Sequence, residues 1–276
     1  AQGQNWSLPP PDPIVGAREG WRGLAALYGA NMHHAGMLRI DHAMGLTRLF
    51  VIPDGAKPAE GAYLAYPVNE LLGQVALESQ RHRCMIVGED LGTVPEGFRG
   101  KLTRANILGM RVLWFERRGL GFLPPLDYPP LSVASATTHD LPTLAGWWQG
   151  ADIAERLMLG FLTLDAAQRA IAERREEKRV LVEALRLAGE IVGSPDFETP
   201  MSDAVAAAIH GFVGSSGSVF ASVQFEDLAG DTIGTNLPGT DRERPNWRRR
   251  LGSDVEALMA GARASAIIEA LAKGRR

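Results

Sequence analysis

The chain has 276 residues, 45% of them hydrophobic and 22% charged, with a formal charge of −3. That balance is ordinary for a folded globular chain, and it lacks the basic field that would make nucleic acid or an anionic membrane surface an expected partner. A single cysteine, Cys84, excludes an internal disulfide and a cysteine-rich metal cluster, and no apolar run approaches the ~18 residues of a membrane span. With no basic-then-apolar pattern at the N-terminus, a cytoplasmic location is expected. The first residue is Ala and a Pro-rich segment follows, so the chain is expected to be a cut from a longer polypeptide.

In chain order, residues 1–14 carry Pro9, Pro10, Pro11 and Pro13 and read as loop, because proline lacks an amide donor and restricts its predecessor. From Gly20 to His34, Leu24, Leu27, Tyr28 and Met32 recur at helical spacing, with Gly36 placed to end the helix. The run Met37-Leu38-Arg39-Ile40 then reads as a buried strand that stops abruptly in Asp41-His42. Residues 53–67 are rich in Pro, Gly and Ala and read as a surface excursion; Asn69 to Arg83 is a helix with Leu72, Val75, Ala76 and Ser79 on one face.

Four more apolar strands follow. Cys84 to Val87 ends in Glu89-Asp90, Arg111 to Phe115 in Glu116, Leu131 to Ala136 in His139-Asp140, and Ser218 to Phe225 in Glu226-Asp227. Between the last two lies a helical insertion at about 150–212. In it Asp165 and Gln168 suggest a capping box, Leu181, Leu185 and Ala188 an apolar stripe, Glu173 to Arg179 a solvated face, and Asp203 to His210 a short Ala-rich helix. Ser253 with Glu256 announces a last helix, and Arg248-Arg249-Arg250 reads as a solvated helix edge.

Five strands separated by helices, each ending in acid, describe successive units of a parallel α/β architecture whose C-terminal strand ends line one site. In a (β/α)₈ barrel Asp41, Glu89 and Asp140 share one rim, although 48 and 51 residues separate them in sequence. A closed barrel needs eight strands, so the first ones are expected in a segment outside this chain. Two carboxyl groups facing across a cleft, about 5 to 5.5 Å apart, are the minimum for retaining glycosyl transfer or hydrolysis: one attacks the anomeric carbon, the other manages the proton. Arg39, two residues before Asp41, faces the same side of its strand and is placed to orient that carboxylate. Each acid alone reads more readily as a helix cap than as a functional group; three together, two with His alongside, point to chemistry. His33 and His34 read as helix-terminal or solvent-facing, Met85 and Trp114 as core, and Glu226-Asp227 as either a rim contact or a cap.

Leu38-Arg39-Ile40-Asp41-His42, Val87-Gly88-Glu89-Asp90-Leu91-Gly92-Thr93-Val94-Pro95, Thr137-Thr138-His139-Asp140-Leu141-Pro142-Thr143, and Asn236-Leu237-Pro238-Gly239-Thr240 with Pro245-Asn246-Trp247-Arg248-Arg249 resemble the 4-α-glucanotransferases, or amylomaltases, in order and spacing across the chain. The resemblance implies a (β/α)₈ barrel of the α-amylase kind, of which this chain holds about strands 4–8 as the C-terminal part of one catalytic domain. It also implies transfer of α-1,4-glucan segments between maltooligosaccharides with retention, and no metal or organic cofactor. By motif position Asp41 looks like the nucleophile, Glu89 the general acid/base and Asp140 the transition-state stabiliser. Arg39 and His139 would contact the nucleophile and the sugar being cleaved, and Gln4, Trp6 and Asn236 are similar to sugar-contacting positions. Ala43-Met44 stands where some members carry an aromatic residue, and full-length members begin well before Gly3, so the missing N-terminal part of the polypeptide is an expected partner.

Three other readings stay open. A related α-amylase-type hydrolase uses the same acids with water as acceptor; a metal-dependent phosphohydrolase would build on His139-Asp140 with further His and Asp ligands; and a fragment without the first strands could bind glucan without turning it over.

Overall fold

The computed structural model describes residues 8–275, and the chain divides into two compact units, one ending at Met110 and the other beginning at Arg111. Both are α/β in construction.

The first unit opens with α1 (Pro13–Arg18), two residues inside the stretch expected to be loop. The proline responsible sits in the first turn, where its missing N–H costs nothing, and Asp12 caps the helix by accepting from the N–H groups of Ile14 and Val15 at 2.8 and 3.0 Å. The second helix, α2 (Arg22–Met32), buries Tyr28 and Met32 but leaves Leu27 exposed, and it ends at His33 without help from Gly36. Strand β1 (Met37–Ile40) follows at the expected place, but its residues are half-buried, and Arg39 exposed, rather than buried as expected.

The supposed surface excursion contains a hairpin, β2 (Arg48–Val51) against β3 (Ala62–Ala65), antiparallel with Phe50 opposite Tyr63. After it α3 (Val68–His82) buries Leu71, Leu72 and Val75 on one stripe, and the left-handed Arg83 turns the chain directly into β4 (Met85–Gly88). Cys84 Sγ is buried in the connection, while Ser79 Oγ donates to the Cys84 carbonyl at 2.6 Å and ties helix to strand. Met85 is 47% exposed, against expectation: it is the first residue of the strand, within which burial begins only at Ile86. The unit continues with α4 (Phe98–Arg104), which buries Phe98 and Leu102. Strand β5 (Gly109–Val112) crosses the division between the units and is shorter than expected, because Leu113–Phe115 wind into a 3₁₀ turn. Strands β1 and β4 pair in parallel, Met37 to Met85 through Ile40 to Gly88, and Met32, Val75, Leu71 and Phe98 fill the core around them, each worth about 1.5–3 kcal/mol when fully buried.

In the second unit a two-residue hairpin, β6 (Arg117–Arg118) with β7 (Gly121–Phe122), precedes β8 (Ser132–Ser135). Then come α5 (Leu144–Gln149), α6 (Ala151–Met158), the 24-residue α7 (Leu164–Leu187) and α8 (Asp203–Gly214), one turn longer than its expected Ala-rich core. Helix α7 is capped by Thr163, not by Asp165, and its stripe is Leu181, Val182 and Leu185, with Ala188 exposed past the end. Its charged run is only partly solvated. Arg174 turns inward to grip Asp152 at 3.0 and 2.9 Å, and the buried Lys178 donates to the Phe197 carbonyl at 2.8 Å, so tertiary partners override the sequence pattern.

Strand β9 (Phe220–Ser222) pairs in parallel with β8, and α9 (Phe225–Ala229) takes up Phe225, which the sequence had placed in the strand. Helices α10 (Val255–Met259) and α11 (Ala262–Lys273) close the unit; the cap of α10 is Asp254, one residue after Ser253, and Arg248–Arg250 lie in irregular chain rather than on a helix. Trp114 packs half-buried against Trp147 and Phe122. The core is densest where α8 meets α11: Ile209, Phe212 and Val213 face Ala264 and Ile267, and a Cβ on Gly214 would fall 2.4 Å from the Leu271 carbonyl oxygen.

Candidate active site

Parallel pairing of β1 and β4 sets the first cluster. Ile40 stands opposite Gly88, so Asp41 and Glu89 are the next residues out of two neighbouring strands, which run about 4.8 Å apart. The Glu89 N–H donates to the Ile40 carbonyl at 2.9 Å and the Ala43 N–H to the Glu89 carbonyl at 2.9 Å, continuing the ladder past the strand ends. Arg39 Nη1 lies 2.7 Å from Asp41 Oδ1, and its Nε points at Met110 Sδ, 3.3 Å away. Asp41 is 78% exposed, so this ion pair adds about 0–1 kcal/mol to stability and its effect is on orientation.

Glu89 is held differently. It is buried, with Oε2 accepting the His42 N–H at 2.8 Å and Oε1 accepting the Leu91 N–H at 2.7 Å, so both oxygens are fixed in one plane. His42 reaches that position in a left-handed conformation, φ 43°, unusual for a residue with a Cβ. Gly88 permits the packing: a Cβ there would sit 3.1 Å from that of Ala43 in the turn after Asp41. Asp90, fully buried beside Glu89, accepts from Arg99 Nε and the Met110 N–H, both at 2.8 Å, and anchors the turn.

The second cluster belongs to the second unit. After β8, Thr137 Oγ1 donates to the Pro142 carbonyl at 2.9 Å and shapes the turn that presents His139 and Asp140. His139 Nε2 is 3.3 Å from Asp140 Oδ2, and Asn236 Nδ2 donates to Asp140 Oδ1 at 2.6 Å. Trp247 lies against the His139 ring at a centroid distance of 5.3 Å. The loop supplying Asn236 and Trp247 is organised by the buried Arg244, which pairs with Glu155 at 2.8 Å and donates to Asn246 Oδ1 at 2.7 Å and to the Thr235 carbonyl at 3.3 Å. Asn246 accepts from the Leu237 N–H at 3.1 Å and donates to Thr240 Oγ1 at 2.8 Å.

Helix α5, just after Asp140, is fastened by Asp227, whose Oδ1 accepts the Leu144 N–H at 2.8 Å. Asp227 and His210 are both fully buried, with Nε2 and Oδ2 3.9 Å apart. Burial pushes the Asp227 carboxyl up to about 7, with Glu226 adding to the rise and the Leu144 N–H and Arg263 opposing it. Burial, assisted by Arg263, pushes His210 down to about 4. Glu226 and Asp227 thus serve as first-turn residues of α9, Glu226 accepting from Thr235 Oγ1 at 2.6 Å.

Arg39, Asp41 and Glu89 are therefore brought together in the first unit, and His139, Asp140 and Asn236 in the second; Gln4 and Trp6 lie outside the described residues. Sequence reasoning missed Arg244 and the backbone N–H groups of His42 and Leu91, and quoted Asp90 and Trp247 within motifs without giving either a role. Asp90 was visible as half of an acidic doublet; the others depend on loop geometry. Among the described residues no group of three or more His, Cys, Asp or Glu side chains is arranged to hold a metal ion, and no helix is long and apolar enough to cross a membrane.

Residues 1–255 match the family model described as 4-alpha-glucanotransferase. A 4-alpha-glucanotransferase of Haemophilus influenzae is 37% identical over 263 residues, which cover 94% of this chain and 37% of that protein. Its counterpart in Mycobacterium tuberculosis is 37% identical over 280 residues, 98% of this chain and 38% of that one. The crystal structure of amylomaltase from Corynebacterium glutamicum matches with a TM-score of 0.92 at 31% identity, over 98% of this chain and 40% of that chain. The chain spans between 37% and 40% of the length of these relatives. It belongs to the 4-alpha-glucanotransferase family.

Proposed function

We propose that this chain is the acid-bearing part of an enzyme that transfers α-1,4-glucan segments from a donor maltooligosaccharide to a glucose or glucan acceptor by retaining double displacement. The observation that carries the reading is the placement of Asp41 and Glu89 at the ends of two paired parallel strands, one carboxylate exposed and aimed by Arg39, the other fixed by two backbone N–H groups. In the first displacement an Asp41 oxygen attacks the anomeric carbon while the bond to the leaving 4-oxygen breaks and Glu89 gives that oxygen its proton. In the second, Glu89 takes the proton of an acceptor hydroxyl, whose oxygen attacks the same carbon and releases the Asp41 carboxylate. Asp140, oriented by Asn236 and His139, binds sugar hydroxyls and stabilises the positive charge of the transition state. Gln4 and Trp6, outside the described residues, are proposed as sugar-contacting positions on motif position alone.

The reading carries with it a (β/α)₈ barrel of which this chain would hold about strands 4–8, with a helical insertion at about 150–212. Maltotriose tests the chemistry. The intact protein is expected to yield glucose together with longer maltooligosaccharides, and Asp41→Asn to abolish both while the circular dichroism spectrum stays native. Full activity in that variant removes Asp41 from the nucleophile role; gain of reducing ends without elongation assigns the acceptor as water.

A further inference from the structure

We infer that Trp247 is a sugar-stacking residue, its indole face packing on a glucose ring of the α-glucan bound beside Asp140; the inference rests on the glucan reading of the site and names one further contact within it. Trp247 is 62% exposed, whereas Trp21, Trp147 and Trp148 are buried in the two cores. Packing among the described residues therefore leaves most of the indole uncovered. Its backbone is left-handed, φ 59°, a conformation that bulky side chains rarely adopt and that persists only where the surroundings enforce it.

The enforcement is visible in the loop. The Trp247 N–H donates to the Thr235 carbonyl at 3.1 Å, and Asn246 and the buried Arg244 close the turn on both sides. Arg244 in turn is locked to Glu155. A buried guanidinium and an amide with all its polar atoms engaged thus hold in place a side chain that the other described residues leave mostly uncovered.

What surrounds the indole defines its ligand. On one side lies the His139 imidazole, 5.3 Å away and tilted by 47°, and the same loop delivers Asn236 to Asp140. An exposed aromatic face beside a carboxylate, an amide and an imidazole matches a pyranose, whose C–H face is apolar and weakly positive while its rim carries hydroxyl donors and acceptors. An uncharged sugar ring satisfies both halves at once.

The test compares Trp247→Ala, Trp247→Leu and Trp247→Phe with the unsubstituted intact protein, measuring kcat and KM for maltotriose and its Kd by titration calorimetry. All three variants are expected to fold, as circular dichroism would report, because the side chain is mostly solvated. Loss of the flat face in the Ala and Leu variants is expected to raise KM and Kd about five- to tenfold with kcat little changed, and Phe to restore most of the affinity. Native KM and Kd in Trp247→Ala overturn the assignment while leaving the glucan reading intact. A loss confined to kcat overturns it too, and moves Trp247 to a supporting role behind His139. If the unsubstituted protein neither binds nor converts maltotriose, the glucan reading fails and the stacking role fails with it.

Discussion

Burial pushes His210 down and Asp227 up, which predicts that folding moves a proton from the imidazole to the carboxyl, and removing either partner should expose the transfer as a pH dependence of opposite sign. In the unfolded chain between about pH 4 and 6.5 the imidazole is protonated and the carboxyl is not. In the folded protein the order is reversed, since the carboxyl is pushed up to about 7 and the imidazole down to about 4. Both states hold one proton across that window, so the pair contributes almost no slope to stability. For Asp227 alone, folded above unfolded, stability is fully present below about pH 4 and is lost as pH rises through 7; a shift of about 3 units corresponds to about 4 kcal/mol. For His210 alone, folded below unfolded, stability is present above about pH 6.5 and is lost as pH falls toward 4, by about 3 kcal/mol. Asp227→Asn should therefore become more stable from pH 4.5 to 6.5, and His210→Gln less stable, both against a flatter parent. Urea unfolding at half-unit pH steps and fixed ionic strength reads this directly. Parallel profiles for the two variants would refute the proton exchange.

Other substitutions follow from the packing and the ion pairs. Arg39→Ala should leave the urea midpoint within about 1 kcal/mol of native, because its partner is solvated, while reducing maltotriose turnover by at least tenfold through loss of the aim of Asp41. Gly214→Val should destabilise by about 3 kcal/mol or more in thermal unfolding, since even its Cβ meets the Leu271 backbone. Arg244→Ala should cost about 2–4 kcal/mol by stranding Glu155 and several carbonyls, seen as a lowered Tm, and Asp254→Ala about 1 kcal/mol through loss of the α10 cap.

The acids were legible because each follows an apolar run closely, and an apolar run of four to six residues before a charge is the mark of a buried parallel strand leaving its sheet. The hairpin of β2 and β3 was not. Its second strand, Ala62-Tyr63-Leu64-Ala65, has weak strand formers and its partner lies beyond a Pro- and Gly-rich connection, so only the pairing of Phe50 with Tyr63 declares it. The caps were misplaced by one or two residues because Ser, Thr and Asp are interchangeable there, and local spacing does not say whose oxygen meets the N–H. Arg174 and Lys178 were read as solvated because their partners, Asp152 and the Phe197 carbonyl, are distant in sequence. Trp247 stood in a recognised motif without a role, because the loop that Arg244 and Asn246 hold around it depends on contacts that spacing does not show.

The grip of Glu89 on the His42 N–H bears on how kinetic data from this site are to be read. On the proposed mechanism, a carboxylate that supplies an acceptor to the residue after Asp41 would be at once a reagent and part of the scaffold of its neighbour. Glu89→Ala removes both acceptors and releases a turn already in a disfavoured conformation, so its rate loss contains displacement of Asp41 as well as the missing proton. Glu89→Gln keeps a single carbonyl oxygen for two N–H donors and inherits half of the same disturbance. Rate losses at Asp41 and Glu89 should accordingly fall short of additivity in a double-mutant cycle, and the shortfall would measure how far each carboxylate depends on the other for its position.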